Sequence, residues 1–273
     1  MMQATLREAL RFEGIGLHSG VQASVEVRPA NADDGIVFVL GNVRVPATVE
    51  HILDTSRATV IGMDGARVST TEHLLSALLA TGVSNAEIVV DGPEIPARDG
   101  SSGEFAAAIV QCGLEIQNRP RKVLELDAPC WVRADDRMIA AFPSDSFRVR
   151  FIADFPPPVG TQYFDGVIDS QNYRTEIAGA RTFAYLHEVE ALWARGLGRG
   201  GSLENALVFA PDGPMQPLRW PNEPVRHKVL DLIGDFALLG AWPQCEVVAI
   251  KSGHELHAAI LRALNGRIRV PSA

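Results

Sequence analysis

The sequence predicts an α+β protein made of two similar units, each with helices layered on a largely antiparallel sheet, and three observations carry that reading. Short segments that alternate apolar and polar residues, punctuated by Gly, Asn and Asp, fill the early part of the chain. A helix–strand–helix pattern then occurs twice, once in each half. Between the two occurrences the pattern breaks in a basic, polar run, Asn118-Arg119-Pro120-Arg121-Lys122.

Taken in order, Ala23–Arg28, Gly35–Leu40 and Val43–Ala47 alternate with the period of two expected of half-buried strands. Thr71–Ala80 reads as a helix, Ala86–Val90 as an apolar strand and Glu104–Cys112 as a second helix. After the break, Val123–Leu126 resumes the strand pattern. The second half repeats the scheme, with a helix over Val225–Leu239, a strand over Cys245–Ile250 and a helix over Glu255–Leu264. The repeat is one of pattern, since few residues coincide. The boundaries that follow are 1–119 for the first unit and 122–273 for the second. The second carries an insertion over about 183–210, in which Ala180-Arg181-Thr182-Phe183 leads to a helix at Leu186–Arg195, a glycine-rich run and the strand Ala206–Phe209. That β–α–β-like piece suits the wall of an apolar channel, and as a bare pattern it equally suits a structural loop.

The totals narrow the function. A chain of 273 residues with 47% hydrophobic and 21% charged residues is an ordinary globular protein, long enough for two domains. No apolar run approaches the roughly 18–20 residues of a helical membrane span. The N-terminal Met1–Glu8 has no apolar signal core, so a cytoplasmic protein is expected. A net charge of −8 argues against nucleic acid as partner, while leaving room for a few basic residues to hold a small anion. Cys112, Cys130 and Cys245 are an odd, widely spaced set without a CxxC pair, and buried free thiols are expected. Nothing demands a second subunit, so a monomer is expected.

The chemistry-bearing residues cluster at the helix starts. His227 and Asp231 stand at i and i+4 on one helical face, Asp235 continues the stripe, and Gly234 permits close approach of another element. Nitrogen and carboxylate oxygen suit zinc, but by spacing alone the plainer reading is a buried His–Asp pair. His73 is a third candidate ligand if the two halves pack face to face, and Glu72 beside it is placed to act as a base on a metal site's water. Ser69-Thr70-Thr71-Glu72 also matches a capping box, in which Glu72 only satisfies the helix start. His254 follows Lys251-Ser252-Gly253 at a strand-to-helix junction, where an acid and a phosphate contact are both plausible on geometry. His257, one turn on, reads as a surface residue. His18 lies in the glycine-rich turn Gly14–Gly20, which is no dinucleotide fingerprint because no helix follows.

Together these segments resemble the bacterial UDP-3-O-acyl-N-acetylglucosamine deacetylases, which catalyse the committed step of lipid A biosynthesis. The resemblance rests on Gly14–Gly20, Thr71-Glu72-His73-Leu74, Asp91–Pro96 with Asp99-Gly100-Ser101, Ala180–Phe183, Gly200-Gly201-Ser202, Val225–Asp235 and Lys251–His254, in family order along nearly the whole chain. It implies two similar β-α-α-β sandwich domains with the active site at their interface. It also implies a zinc ion (ferrous iron being the alternative for a His₂Asp set) on His73, His227 and Asp231. By the same carry-over Glu72 is the general base, His254 the general acid and Asp235 its orienting carboxylate. Lys228 and Thr182 would meet the oxyanion. Phe183, His18, Lys251, Gly201 and Ser202 would contact the substrate, UDP-3-O-acyl-N-acetylglucosamine. Two departures stand out, namely Arg199 where an apolar residue is frequent, and the lack of paired asparagines after His254. Two other readings are a deacetylase for a different N-acetylated sugar, and a non-catalytic binding protein that keeps the zinc as a structural clip. The intact Glu72 and His254 speak against the latter.

Overall fold

A computed structural model describes residues 1–270, so the last three positions of the expected second unit, 271–273, lie outside the described residues. The first unit contains β1 (Leu10–Ile15), β2 (Gln22–Pro29), β3 (Ile36–Leu40), β4 (Val43–Pro46), α1 (Glu72–Thr81), β5 (Ala86–Asp91) and α2 (Gly103–Cys112). Its sheet has the order β1-β2-β5-β3-β4, antiparallel throughout except for the parallel pair β3/β5. The second unit contains β6 (Cys130–Ala134), β7 (Arg137–Pro143), β8 (Arg148–Asp154), β9 (Thr161–Val167), α3 (Ser170–Glu176), β10 (Phe183–Tyr185), α4 (Val189–Ala194), β11 (Leu207–Ala210), α5 (Glu223–Phe236), β12 (Trp242–Ile250) and α6 (His254–Leu264). Its main sheet has the order β6-β7-β12-β8-β9, again with one parallel pair, β8/β12. Short strands at Val123–Glu125 and Ile268–Arg269 extend this sheet at the start of β12. The two units therefore repeat one topology strand for strand, each with a helix before and a helix after its central strand.

Alternation explains the layering. Along β12 every second residue is buried, and in β2 Val25 and Val27 are fully buried, so each sheet offers one apolar face. The helices cover those faces and meet between the sheets, and a single apolar cluster runs from Leu6 through α1 and α5 to Leu264. All ten residues of α1 are buried. Its first turn crosses α5 at Gly234, where a Cβ would sit 2.7 Å from the Glu72 carbonyl carbon. No side chain fits there, and the two backbones touch.

Residues 183–214 form a separate small sheet in which β10 and β11 are parallel and Gly213–Pro214 adds an antiparallel edge. The expected β–α–β arrangement is present, although Leu186–Glu188 is a 3₁₀ turn and α4 itself is short. Helix α5 begins two residues earlier than the apolar pattern suggests, because Pro224 suits the first helical turn. Helix α3, capped by the Asp169 carboxylate, was not expected.

Two readings of single residues need correction. His257 is fully buried, because the Asp235 carboxylate is in place to accept its ring N–H. Cys112 is half-exposed at the end of α2, whose buried face is Phe105, Ala106 and Ile109, whereas Cys130 and Cys245 are buried as expected.

Candidate functional site

The crossing of α1 and α5 brings the predicted ligands together. His73 Nε2 lies 3.7 Å and His227 Nε2 3.4 Å from Asp231 Oδ1, and the two rings meet edge to face with centroids 5.1 Å apart. Two atoms each about 2.1 Å from a tetrahedral ion are roughly 3.4 Å apart, so these separations are those of ligands rather than of direct hydrogen bonds. His227 Nδ1–H donates to the Ala180 carbonyl at 3.0 Å, which leaves the Nε2 lone pair facing Asp231. Burial pushes His227 down to about 3, so the ring is neutral and able to ligate. Burial alone would raise Asp231, but His227 and Lys228 outweigh it and hold the carboxyl well below its usual range. The donor set therefore fits a divalent metal of the zinc type.

Glu72 stands beside this set and does not cap its helix. Thr71 occupies the N-cap, and Glu72 Oε2 accepts the backbone N–H of Thr59 at 3.1 Å. The capping-box alternative is thereby removed. Burial pushes Glu72 up to about 7. His254, the first residue of α6, points Nε2 toward Glu72 Oε1 at 3.8 Å and Asp231 Oδ2 at 3.9 Å. Its Nδ1–H donates to Asp235 Oδ2 at 2.7 Å. Burial opposes a charge on His254, but the Asp235, Glu72 and Asp231 carboxylates overcome it and raise the ring to about 9. Asp235, which burial would raise, is held at about 2 by His254 and His257.

A cavity of about 570 Å³ opens from this cluster and is walled by the insertion. Lys228, Thr182 and His254 line it, together with the apolar Leu192, Trp193 and Leu203. The Lys228 ammonium donates to Asp231 Oδ2 at 2.8 Å and sits 5.8 Å from the Phe183 ring centre. Phe183, His18, Gly201 and Ser202 all line the cavity. Lys251 does not. Its ammonium is paired with Asp136 at 3.0 Å and Asp154 at 2.8 Å.

Sequence reasoning missed two residues that build the site. The Thr59 hydroxyl donates to Asp235 Oδ1 at 2.5 Å while its backbone N–H holds Glu72, so one threonine touches both carboxylates. It sits in a polar loop without periodicity, and nothing local marks it. Glu94, buried at 1% exposure, accepts the N–H groups of His18 and Ser19 and the Thr70 hydroxyl, which fixes the glycine-rich turn. Gly16 leaves room for that carboxylate, since a Cβ there would stand 2.9 Å from Glu94 Cδ. The segment Asp91–Pro96 had signalled Glu94 as part of a motif, without a role.

Comparison with known proteins agrees with this geometry. The family model for UDP-3-O-acyl N-acetylglycosamine deacetylase matches residues 3–266. The chain is 43% identical over 262 aligned positions to the UDP-3-O-acyl-N-acetylglucosamine deacetylase of Syntrophotalea carbinolica, covering 93% of this chain and 85% of the relative. It is 42% identical over 275 positions to the Nostoc sp. protein of the same name, with 97% and 98% covered. The Phenylobacterium zucineum protein of that name is 44% identical over 276 positions, with 98% and 94% covered. With the fold, the convergent donor set and a match along almost its whole length, the chain belongs to the UDP-3-O-acyl N-acetylglycosamine deacetylase family, a family of metalloenzymes.

Proposed function

We propose that this protein hydrolyses the N-acetyl amide of UDP-3-O-acyl-N-acetylglucosamine, releasing acetate and a free sugar amine in lipid A biosynthesis, with zinc held by His73, His227 and Asp231. The observation that carries the site assignment is the convergence of two imidazole Nε2 atoms on Asp231 Oδ1 with the Glu72 carboxyl beside them. Zinc bound there, or ferrous iron, would supply Lewis acidity toward the amide carbonyl and the attacking water.

The chain's own groups divide the remaining work. Glu72 takes one proton of the attacking water as the C–O bond forms, a task suited to a carboxyl that burial has brought near neutrality. The amide C–N bond then breaks, and His254 gives its Nε2 proton to the departing nitrogen. Asp235 keeps the Nδ1–H of that ring throughout and fixes its orientation. Lys228 and the Thr182 hydroxyl, both lining the cavity, face the developing oxyanion. Phe183 packs on the sugar, with His18, Gly201 and Ser202 as further contacts, and the apolar cavity takes the acyl chain. Lys251 is assigned to the diphosphate, and binding there would require its ammonium to leave Asp136 and Asp154.

This reading divides the chain into units 1–119 and 122–273, with 183–210 as the insertion that shapes the acyl site. It places a monomeric enzyme in the cytoplasm, where the three free cysteines stay reduced. Among the described residues no helix is long and apolar enough to cross a membrane.

The test is acetate release from the named substrate, with and without a chelator. Glu72→Ala is expected to keep its metal and lose turnover by a factor on the order of 10² or more. Full activity in that variant would remove Glu72 from its role. Activity indifferent to chelator would remove the metal.

A further inference from the structure

The network around Asp235 includes a buried imidazole to which the reaction above gives no task. His257 lies three residues after His254 on α6 and has no solvent exposure. Its Nδ1 is 2.7 Å from Asp235 Oδ2, the same oxygen that the His254 Nδ1 meets at 2.7 Å. The two rings are 5.9 Å apart and inclined at 78°. Among the described residues His257 Nε2 has no hydrogen-bond partner.

Those contacts fix the tautomer. An ionised carboxylate only accepts, so both imidazole nitrogens at 2.7 Å carry hydrogen. For His257 the opposite tautomer would turn a lone pair toward the carboxylate and leave a buried Nε2–H with no acceptor, the costlier arrangement. His257 is therefore neutral, with hydrogen on Nδ1 and a lone pair on Nε2. With the Thr59 hydroxyl on Oδ1, the Asp235 carboxylate receives three hydrogen bonds from two elements, two from α6 and one from the loop that carries Thr59. If the carboxylate had His254 and Thr59 alone, Oδ2 would have one donor, the one whose charge changes in the reaction.

We infer that His257 is a positioning residue for the acid side of the site: by donating a second N–H to Asp235 Oδ2, it holds the carboxylate ionised and in place while His254 carries and gives up its proton. This rests on the assignment of His254 and Asp235 given above. Its effect falls on the catalytic step, since His257 does not line the cavity.

The experiment compares His257→Asn and His257→Phe with the unsubstituted, metal-loaded full-length enzyme, measuring kcat, KM and bound metal. The asparagine amide restores a donor toward Asp235, and kcat is expected within about threefold of the unsubstituted enzyme. Phenylalanine keeps a ring without a donor, and kcat is expected to fall about tenfold at unchanged KM and metal content. Nitrogen-15 NMR of the imidazoles in the unsubstituted protein provides a reading that survives poor folding of either variant. His257 is expected as the Nδ1–H tautomer, and an Nε2–H tautomer overturns the inference. Equal kcat in the asparagine and phenylalanine variants also overturns it, as does a loss shared between kcat and KM. If the unsubstituted enzyme releases no acetate, the underlying assignment fails, which is a distinct result from any of these.

Discussion

The junction of α1 with α5 and the insertion built on β10, α4 and β11 lie on either side of one cavity and are constructed in opposite ways. At the junction, α1 is wholly buried, the backbones touch at Gly234, and Glu72, His73, His227, Asp231 and Asp235 are each at most 5% exposed. In the insertion α4 buries no residue, the local cluster is Tyr185, Leu207 and Phe209, and Trp193 is 55% exposed. Acid–base chemistry needs charges held in fixed geometry and low dielectric, and the junction supplies both. An apolar chain needs a wall able to part, and few buried contacts give one that opens at low free-energy cost. The insertion is nonetheless tied across to the first unit by Arg199 N–H on the His18 carbonyl at 3.3 Å and Gly200 N–H on the Leu17 carbonyl at 3.1 Å.

Substitutions on the two sides should therefore separate chemistry from binding. The largest effect is expected for His227→Ala, which removes a proposed ligand: bound metal is expected to fall from about one per chain to near none, and kcat/KM to drop on the order of 10³ or more. Metal analysis beside the acetate assay checks it, and full metal content would contradict the ligand set. Next comes Gly234→Ala, which drives a Cβ into the Glu72 backbone. A destabilisation of about 3 kcal/mol is expected, seen as a melting temperature lower by roughly 6–12 °C, with weakened metal binding. Trp193→Ala should raise KM for a long-acyl substrate roughly fivefold, leaving kcat, metal content and melting nearly unchanged. A fall in kcat instead would place the insertion in the chemistry. The smallest effect is expected for Glu188→Gln, which breaks a 3.9 Å ion pair with Arg57 at the cavity rim. Exposed pairs of that kind contribute less than about 1 kcal/mol, so melting should barely move.

The same contrast governs what the sequence disclosed. The helix–strand–helix repeat was legible because α1, β5, α5 and β12 are deeply buried and carry clear apolar periods. Strand β8 was not assigned although its buried Val149, Phe151 and Ala153 alternate with outward-facing residues as in any half-buried strand, and Arg148 and Arg150 on its outer face pair with Asp165 and Glu246 on neighbouring strands. His227 and Asp231 were visible as a spacing on one helix, whereas the approach of His73 depended on how the halves pack. The two roles open to Glu72 could not be separated by spacing, and the Thr59 N–H separates them in the fold. Thr59 itself lies 176 residues from the carboxylate it bonds, a distance over which no local pattern extends. His257 looked like a surface residue because an isolated polar side chain is buried only where a partner waits, and Asp235 belongs to another helix.

The strand-for-strand repetition of the two sheets has a further consequence, which concerns symmetry. Two identical half-length chains joined across such a helix pair would form an isologous seam, with every side chain appearing twice. Such a seam cannot set an unpaired glutamate against an unpaired histidine. Joining both copies in one chain lifts that restriction, so each half can diverge on its own side of the seam. Here one copy contributes Glu72 and His73, the other His227, Asp231, Asp235 and His254. The passage through Pro120 and Arg121 thus does more than connect two folds. It allows the two sides of the site to evolve as unlike residues at a place where an obligate dimer would have had to repeat them.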